Sequence, residues 1–152
     1  MSFQQDVQRT AGLEQAYQTG LGALRAQDRA RVEARNPRAL SGSVDVDKAL
    51  QPLQPNANRW DYVVAGKIAN SVTERLYWIE VHPASSSHNV REIQNKLDWL
   101  LGWLQGQLLD RYKREFLWLA SGKSVFHQNS PQVKILAGKG IQFKGRHFTI
   151  PG

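Results

Sequence analysis

The stretch YWIEVHPA, residues 77–84, is the most informative about the fold of this chain. Its aromatic and β-branched residues are typical of a buried β-strand. Side chains two positions apart on a strand point to the same face, so Glu80 and His82 are predicted to lie side by side, opposite Ile79 and Val81. Because an unpaired carboxylate is costly to bury, Glu80 indicates either a cation site or an ion pair.

The segments on the amino-terminal side of this stretch extend it into a sheet. RWDYVVAGK, residues 59–67, predicts the preceding strand, and IANSV, residues 68–72, the connection of a hairpin. The alternation in SVDVD, residues 43–47, predicts an earlier strand that is half-buried. Residues 3–34 carry apolar residues at three- and four-residue spacing, which predicts one amphipathic helix that ends before Pro37, with Gly20 and Gly22 as the positions where it could bend or break.

The clearest helix follows the quoted strand. Residues 90–110 are predicted to be helical, with an N-cap region in the preceding SSSHN. The predicted apolar stripe consists of Val90, Ile93, Leu97, Leu100, Leu101 and Leu104. Residues 115–121 predict a further strand, residues 130–140 a short helix with a Ser-Pro start, and residues 141–150 one or two short strands.

This element order predicts an α/β protein with a mixed sheet of four to five strands flanked by helices. Three consecutive strands form an antiparallel meander, and the helix after the third works as a crossover to the fourth. By its length of 152 residues the chain is expected to be one domain. We divide it into a helical segment (1–36), a core (40–125) and a basic carboxyl-terminal segment (126–152).

The composition narrows the environment of the protein. There are no cysteines, which excludes disulfides and cysteine-ligated metals. No apolar run approaches the ~18 residues of a membrane helix, and no signal peptide is recognisable. We therefore expect a cytoplasmic protein without membrane contact.

The net charge of +7 makes a polyanion, above all nucleic acid, a natural partner. In the carboxyl-terminal segment, Lys139, Lys144 and Arg146 alternate with glycines and phenylalanines, a pattern that suits phosphate contacts and stacking. Lys123 lies in SGKS, which lacks the first glycine of a nucleotide-binding phosphate loop but could touch a backbone phosphate. The alternative is a solubilising edge that discourages aggregation.

Two carboxylates are predicted to meet at the hairpin. Asp61 stands near the start of one strand and Glu80 near the end of the next, so antiparallel pairing brings them together, with Asp61 on the strand face of Val63 and Trp60 on the other face. Two carboxylates that close repel unless one is protonated or a cation lies between them. Carboxylate oxygens suit Mg²⁺ or Mn²⁺, and such a metal can activate water and stabilise a phosphoryl group during its transfer.

The order helix, three strands, helix, strand, with Asp61 in the second strand and Glu80 in the third, resembles the PD-(D/E)XK nuclease superfamily. The resemblance covers roughly residues 10–125 and implies a restriction-endonuclease-like core. The pattern SGSVDVD, RWDY, IEVHPA and KLDWL is also similar to that of a group of small bacterial proteins. Superfamily members of this size often pair, so a homodimer is possible.

The resemblance implies a role for each residue of the motif. Asp61 and Glu80 would bind the divalent metal, and His82 would occupy the position of the lysine that positions or activates the water. Superfamily members sometimes supply that lysine from the following helix, and Lys96 is the candidate here. His82 and Lys96 are thus the expected catalytic residues of a metal-dependent phosphodiesterase.

Each of these residues also has a purely structural interpretation. Glu80 could pair with Arg75, Arg91 or Lys96, Asp61 with Arg59, and Lys96 could be a solvated helix charge. Asp45 and Asp47 are expected to hold Arg35 and Arg38 rather than to extend the acidic site. Glu14 and Glu33 are expected to be surface charges, and Trp99, Trp103 and Trp118 core residues.

Three functions therefore remain open at this stage. The first is a metal-dependent nuclease, and the second is a nuclease fold that binds nucleic acid without cleaving it. The third is a protein-interaction partner whose charge is incidental. A fold alone cannot choose between them.

Overall fold

The protein is an α/β structure, which a computed structural model describes over residues 2–68 and 71–152. The helices are α1 (Phe3–Gln8), α2 (Ala26–Arg29), α3 (Val46–Leu50), α4 (Ser87–Leu104) and α5 (Pro131–Gly138). The strands are β1 (Val32–Ala34), β2 (Leu40–Asp45), β3 (Tyr62–Lys67), β4 (Glu74–His82), β5 (Lys113–Ala120), β6 (Ile141–Phe143) and β7 (Phe148–Ile150). No helix of the described segments has the length and apolarity to cross a bilayer.

Five of the strands form one mixed sheet in the order β2-β3-β4-β5-β6. Strands β2, β3 and β4 are an antiparallel meander, and β4, β5 and β6 run parallel. Helix α4 is the crossover between β4 and β5, as such a parallel connection requires. The prediction of a mixed sheet of four to five strands flanked by helices is thus confirmed. The predicted hairpin connection lies partly outside the described residues, because these exclude Ala69 and Asn70.

The alternation of side chains along β4 divides the core into two layers. Leu76 and Trp78 belong to a large cluster that includes the apolar stripe of α4, whereas Tyr77 and Ile79 belong to a smaller cluster on the other face. Glu80 follows Trp78 on the larger face and is fully buried. The face predicted for Glu80 is therefore the face that α4 covers.

Helix α4 begins at Ser87, three residues before the predicted start, and its N-cap Ser86 lies in the predicted N-cap region. The Asn89 side-chain oxygen accepts hydrogen bonds from the backbone amides of Ser85 and Ser86 at 3.0 and 3.1 Å, and the Asn89 amide donates to the Ser86 carbonyl oxygen. The helix ends at Leu104, before the predicted end at residue 110, since Gly106 adopts a positive φ of 80°. Leu101, predicted in the apolar stripe, is exposed.

The prediction of one long helix over residues 3–34 is wrong. Only the short helices α1 and α2 form, and Val32–Ala34 pairs in parallel with β7. Gly12 and Gly20 have φ values of 89° and 53°, which interrupt any continuous helix. The segment instead crosses the edge of the sheet, where Gln18 forms a β-bridge with Ser43 of β2. Contact with that edge therefore outweighs helical periodicity.

Strand β2 also ends earlier than the alternation in SVDVD predicts. Val46 is the first residue of α3, because the Asp45 side chain accepts a hydrogen bond from the backbone of Lys48 at 2.9 Å. Aspartate at this position satisfies an amide that the first helical turn leaves free. Pro37 likewise begins a short 3₁₀ turn instead of ending a helix.

Candidate functional site

The predicted carboxylates meet at the carboxyl end of β4, beside the residue that precedes β3. Tyr62 lies opposite Ile79 in the antiparallel register, which brings Asp61 to Glu80. The Asp61 backbone donates a hydrogen bond to Glu80 Oε1 at 3.0 Å, and the Val81 backbone donates one to Asp61 Oδ2 at 3.0 Å. Each carboxylate thus commits one oxygen to the backbone of the neighbouring strand.

Asp61 itself stands just outside β3, in an irregular segment. Its carbonyl oxygen accepts hydrogen bonds from the backbone amides of Val46 and Asp47, so the start of α3 is anchored here. Trp60 packs in the same cluster as Val63 and not, as predicted, with Tyr62, because alternation does not extend to residues outside the strand. The backbone of this segment therefore fixes where the Asp61 side chain enters the site.

Lys96 reaches Glu80 from helix α4. Its Nζ lies 2.7 Å from Glu80 Oε2 and donates a hydrogen bond to the carbonyl oxygen of Arg59 at 3.1 Å. The short contact with Oε2 is an ion pair, and His82 Nδ1 lies 3.5 Å from the same oxygen. Among the three partners considered for Glu80, the structure selects Lys96, whereas Arg75 pairs with Glu115 at 3.0 Å.

The imidazole of His82 is held between two carboxylates. Its Nδ1 lies 3.5 Å from Glu80 Oε2, and its Nε2 lies 3.0 Å from Glu92 Oε1. Glu92 Oε1 also accepts a hydrogen bond from Asn89 Nδ2 at 2.8 Å. Both ring nitrogens of His82 therefore face carboxylates.

Burial and charge shift the protonation equilibria of the site. Burial, and then repulsion by Glu80, raise the pKa of Asp61 to about 8. Burial lowers the pKa of Lys96, but attraction by Glu80 and Asp61 outweighs it and the pKa is raised. The pKa of His82 is likewise raised, because its bonds to Glu80 and Glu92 outweigh burial. Near pH 7, Lys96 is a cation and Asp61 is largely protonated.

The aspartates at the start of α3 have other partners than those predicted. Asp45 and Asp47 each lie 3.7 Å from the guanidinium of Arg25, and Asp47 Oδ1 accepts a hydrogen bond from Arg59 Nε at 3.0 Å. Arg35 and Arg38 are not their partners, since β2 ends at Asp45 and turns the acids toward the residues before α2. The alternative pairing of Asp61 with Arg59 is also excluded, because Arg59 is taken by Asp47.

Three of the four residues predicted to contact nucleic acid lie at the same end of the sheet as the site, where β4, β5 and β6 end. Lys123 follows the carboxyl end of β5, and Lys144 and Arg146 follow that of β6, parallel to β4. Backbone hydrogen bonds join Ser121 to His82 and Ala120 to Gly145, so these loops adjoin the end of β4. Lys139 precedes β6 and lies toward the opposite end of that strand.

Two residues of the site were missed by the reasoning from sequence. Glu92 lies four positions before Lys96, a spacing that puts both on one side of a helix and could have identified it. Arg31 donates from its guanidinium to the carbonyl oxygens of Ala120 and Ser121 at 3.1 and 2.7 Å. No local sequence pattern identifies Arg31, because its contacts are with residues 89 and 90 positions away in the chain.

Asp61 and Glu80 are the two carboxylates that could hold a divalent cation. Over residues 2–68 and 71–152, no cluster of three or more His, Asp or Glu side chains is arranged to hold a metal. Mg²⁺ is commonly bound by one or two carboxylates and completes its shell with water and substrate phosphate. Glu80 Oε2 and the Asp61 oxygen not bonded to Val81 would form a donor set of that kind once Lys96 moves away from Oε2.

Comparison of the chain with known protein families, with curated proteins and with solved structures found no match.

Proposed function

We propose that the chain is a metal-dependent phosphodiesterase that acts on nucleic acid, with a restriction-endonuclease-like core. The observation that carries the proposal is the 2.7 Å approach of Lys96 Nζ to the buried carboxylate of Glu80, beside Asp61. Two carboxylates and a lysine are the groups that the resembled superfamily uses. Here the lysine comes from the helix that follows the strand, whereas His82 occupies the usual lysine position.

The roles follow from the contacts of each group. Asp61 and Glu80 would hold Mg²⁺ or Mn²⁺, which when bound activates water and neutralises phosphate charge. Lys96, whose pKa is raised, keeps its proton and acts as a hydrogen-bond donor toward the phosphate or the attacking water, not as a base. His82, held between Glu80 and Glu92, is a positioning residue for Glu80.

The surroundings of the site favour an anionic polymer as substrate. Lys123, Lys144 and Arg146 lie along the same edge of the sheet, and the chain carries a net charge of +7. Basic groups spread over several loops contact successive phosphates and make binding dependent on salt. A duplex or a single strand of DNA or RNA meets this requirement.

Cleavage of plasmid DNA and of RNA, with Mg²⁺, Mn²⁺ or EDTA, tests the proposal. We expect Glu80→Gln and Lys96→Met to lower the cleavage rate at least about 100-fold. The matched control is Glu115→Gln, the same isosteric change at an acid on the opposite face of the sheet, which should cleave like the wild type. Cleavage that survives Glu80→Gln, or that persists in EDTA, would refute the proposed site.

One observation favours a second function, a nuclease fold that binds nucleic acid without cleaving it. The charge of Glu80 is already balanced by Lys96 and His82, and Asp61 is largely protonated near pH 7. The site is thus electrostatically balanced without a metal. Tight, metal-independent binding combined with no cleavage under any condition would support this function over the first.

A further inference from the structure

A cleft of about 570 Å³ opens next to Asp45, where β2 ends. Its walls come from the residues before α2 and from the start of α3. Pockets that bind small molecules have volumes of roughly 300–1,000 Å³, so one nucleotide fits the available space.

The lining of the cleft combines an apolar floor with polar and cationic side chains. Ala16 and Leu24 contribute apolar surface, and the exposed Gln15 and Gln18 contribute carboxamides. A carboxamide both donates and accepts hydrogen bonds, which suits the edge of a base or a sugar hydroxyl. The floor suits the faces of a sugar or a base.

Two cations flank this cleft, Lys48 and Arg25. Lys48 is exposed, and within the described part of the chain its ammonium has no carboxylate within ion-pair distance. The Arg25 guanidinium, 55% exposed, lies 3.7 Å from Asp45 and from Asp47, which is longer than a hydrogen bond. The lining residues alone carry a surplus of one positive charge, because Asp45 is the one acid among them, and the neighbouring Asp47 is shared between Arg25 and Arg59. Such a lining suits a phosphate.

The cleft is joined to the candidate site through the backbone. Asp45 lies in the lining, and the next two amides, those of Val46 and Asp47, donate to the carbonyl oxygen of Asp61. The basic loops with Lys123 and Lys144 follow β5 and β6, on the other side of Asp61 in the sheet. A single strand of nucleic acid that runs across this end of the sheet would therefore pass the cleft first, then the two carboxylates, and then the basic loops.

We propose that the cleft holds one unpaired nucleotide of a single-stranded nucleic acid, next to the phosphodiester bond that the candidate site cleaves. Lys48 and Arg25 contact its phosphate, and Gln15 and Gln18 contact its base or sugar. A base within a duplex is stacked and paired, and it cannot enter a walled cleft unless it is extruded. This inference names the substrate class of the proposed phosphodiesterase and rests on that function for its role in cleavage.

The test measures binding of thymidine 5′-monophosphate and of a labelled hexathymidylate without metal, by NMR titration and fluorescence anisotropy. We expect the side-chain amide signals of Gln15 and Gln18 to shift with the mononucleotide. Lys48→Glu should weaken binding of the single strand about tenfold. It should also lower the slope of the logarithm of affinity against the logarithm of salt concentration by about one. The matched control is Lys113→Glu, the same charge change at the amino end of β5, and should bind within about twofold of the wild type.

The outcomes separate this inference from the proposed function. If Glu80→Gln abolishes cleavage but Lys48→Glu and Gln15→Ala bind and cleave single strands like the wild type, the cleft inference is overturned and the nuclease stands. The opposite outcome is that the wild type cleaves no substrate, while Lys48→Glu weakens single-strand binding and Lys113→Glu does not. That outcome would support the cleft inference and refute the proposed nuclease function. Equal affinity for a duplex and a single strand of the same length also overturns the inference.

Discussion

At the residue scale, one buried carboxylate and the cations around it define the candidate site. Glu80 is fully buried, and Lys96 and His82 lie 2.7 and 3.5 Å from its Oε2. A buried charge is tolerated only when it is paired and hydrogen-bonded. The same pairing that makes Glu80 tolerable in the core also keeps a lysine at the position where the proposed chemistry needs one.

Lys96→Met is expected to destabilise the fold by about 3 kcal/mol, because it leaves Glu80 charged, buried and without its nearest cation. Adding Glu80→Gln to this variant should recover much of the loss, since the uncompensated charge is then gone. Urea denaturation of the two single variants and the double variant measures the coupling between the side chains. Losses that simply add would show that the 2.7 Å contact contributes nothing to stability.

Asp61→Asn is expected to raise stability at alkaline pH. The carboxyl has a pKa of about 8 in the folded protein against an ordinary value of 3.8, so folding takes up a proton and stability falls as pH rises from about 4 to about 8. Asparagine carries no such charge and can still accept the hydrogen bond from Val81. We expect the variant to gain several kcal/mol over the wild type at pH 8, because the difference between pKa values of about 8 and 3.8 corresponds to about 5 kcal/mol there, and to gain much less at pH 4.

Denaturation at a series of pH values between 4 and 9 checks this expectation. A difference between the two proteins that stays constant across the series would contradict the raised pKa of Asp61. If Asp61 also binds metal, the stabilised variant should lose cleavage, so stability and activity would change in opposite directions.

Part of this site could be predicted from sequence because it follows from local geometry. The two-residue period of a strand placed Glu80 beside His82, and hairpin pairing placed Asp61 near both. Lys96 could be named as a candidate but not placed, since helical spacing does not say how far a lysine side chain leans toward a sheet. The contact between His82 and Glu92 depends on how closely α4 packs against β4, and no local sequence pattern predicts that distance.

At the element scale, the amino-terminal segment is held by the sheet edge and not by its own helical pattern. Gln18 pairs with Ser43 of β2, and the Tyr17 hydroxyl donates to the carbonyl oxygen of Ser41 at 2.6 Å. Periodicity predicted one helix here because apolar residues that pack on a curved path can share the spacing of a helix. The strands β3, β4 and β5 and helix α4 were predictable, since in each the pattern and the packing agree.

Gly42→Ala is expected to destabilise the protein by about 3 kcal/mol or more. Gly42 has a φ of 140°, and a methyl group there would collide with the ring of Tyr17 and with the carbonyl oxygen of Gln18. Gly106→Ala is the control: its φ of 80° is also unfavourable for alanine, but a methyl group meets no atom within 4 Å. Thermal unfolding should show a loss of only about 1 kcal/mol for Gly106→Ala, and equal losses would contradict the close approach of Tyr17 to β2.

At the scale of the whole molecule, the topology brings charged residues together at one end of the sheet. Parallel strands β4, β5 and β6 all end there, and antiparallel β3 begins there. The carboxylates, Lys96 and three of the basic residues predicted to contact phosphate are thus gathered by the topology. The overall surplus of seven positive charges could be read from sequence, but the separation of Lys139 from Lys123, Lys144 and Arg146 depends on the fold.

Binding of a nucleic acid should therefore weaken linearly with the logarithm of salt concentration. Replacing Lys144 and Arg146 by glutamine should lower the slope of the logarithm of affinity against the logarithm of salt concentration by about one to two. The same change should weaken binding equally for all nucleic-acid sequences. Lys139→Gln should leave the slope close to that of the wild type, because that residue lies away from the site. Fluorescence anisotropy between about 50 and 200 mM salt measures both slopes, and a larger effect of Lys139 would contradict this placement of the interface.

The central claim, that Asp61 and Glu80 form a divalent-metal site, is tested most directly by crystals soaked in Mn²⁺ and measured for anomalous scattering. We expect one peak about 2.1 Å from an oxygen of each carboxylate, with Lys96 displaced from its 2.7 Å contact with Glu80. No peak at this position, with Lys96 still in contact with Glu80 at saturating Mn²⁺, would contradict the claim and leave the pair as a structural ion pair.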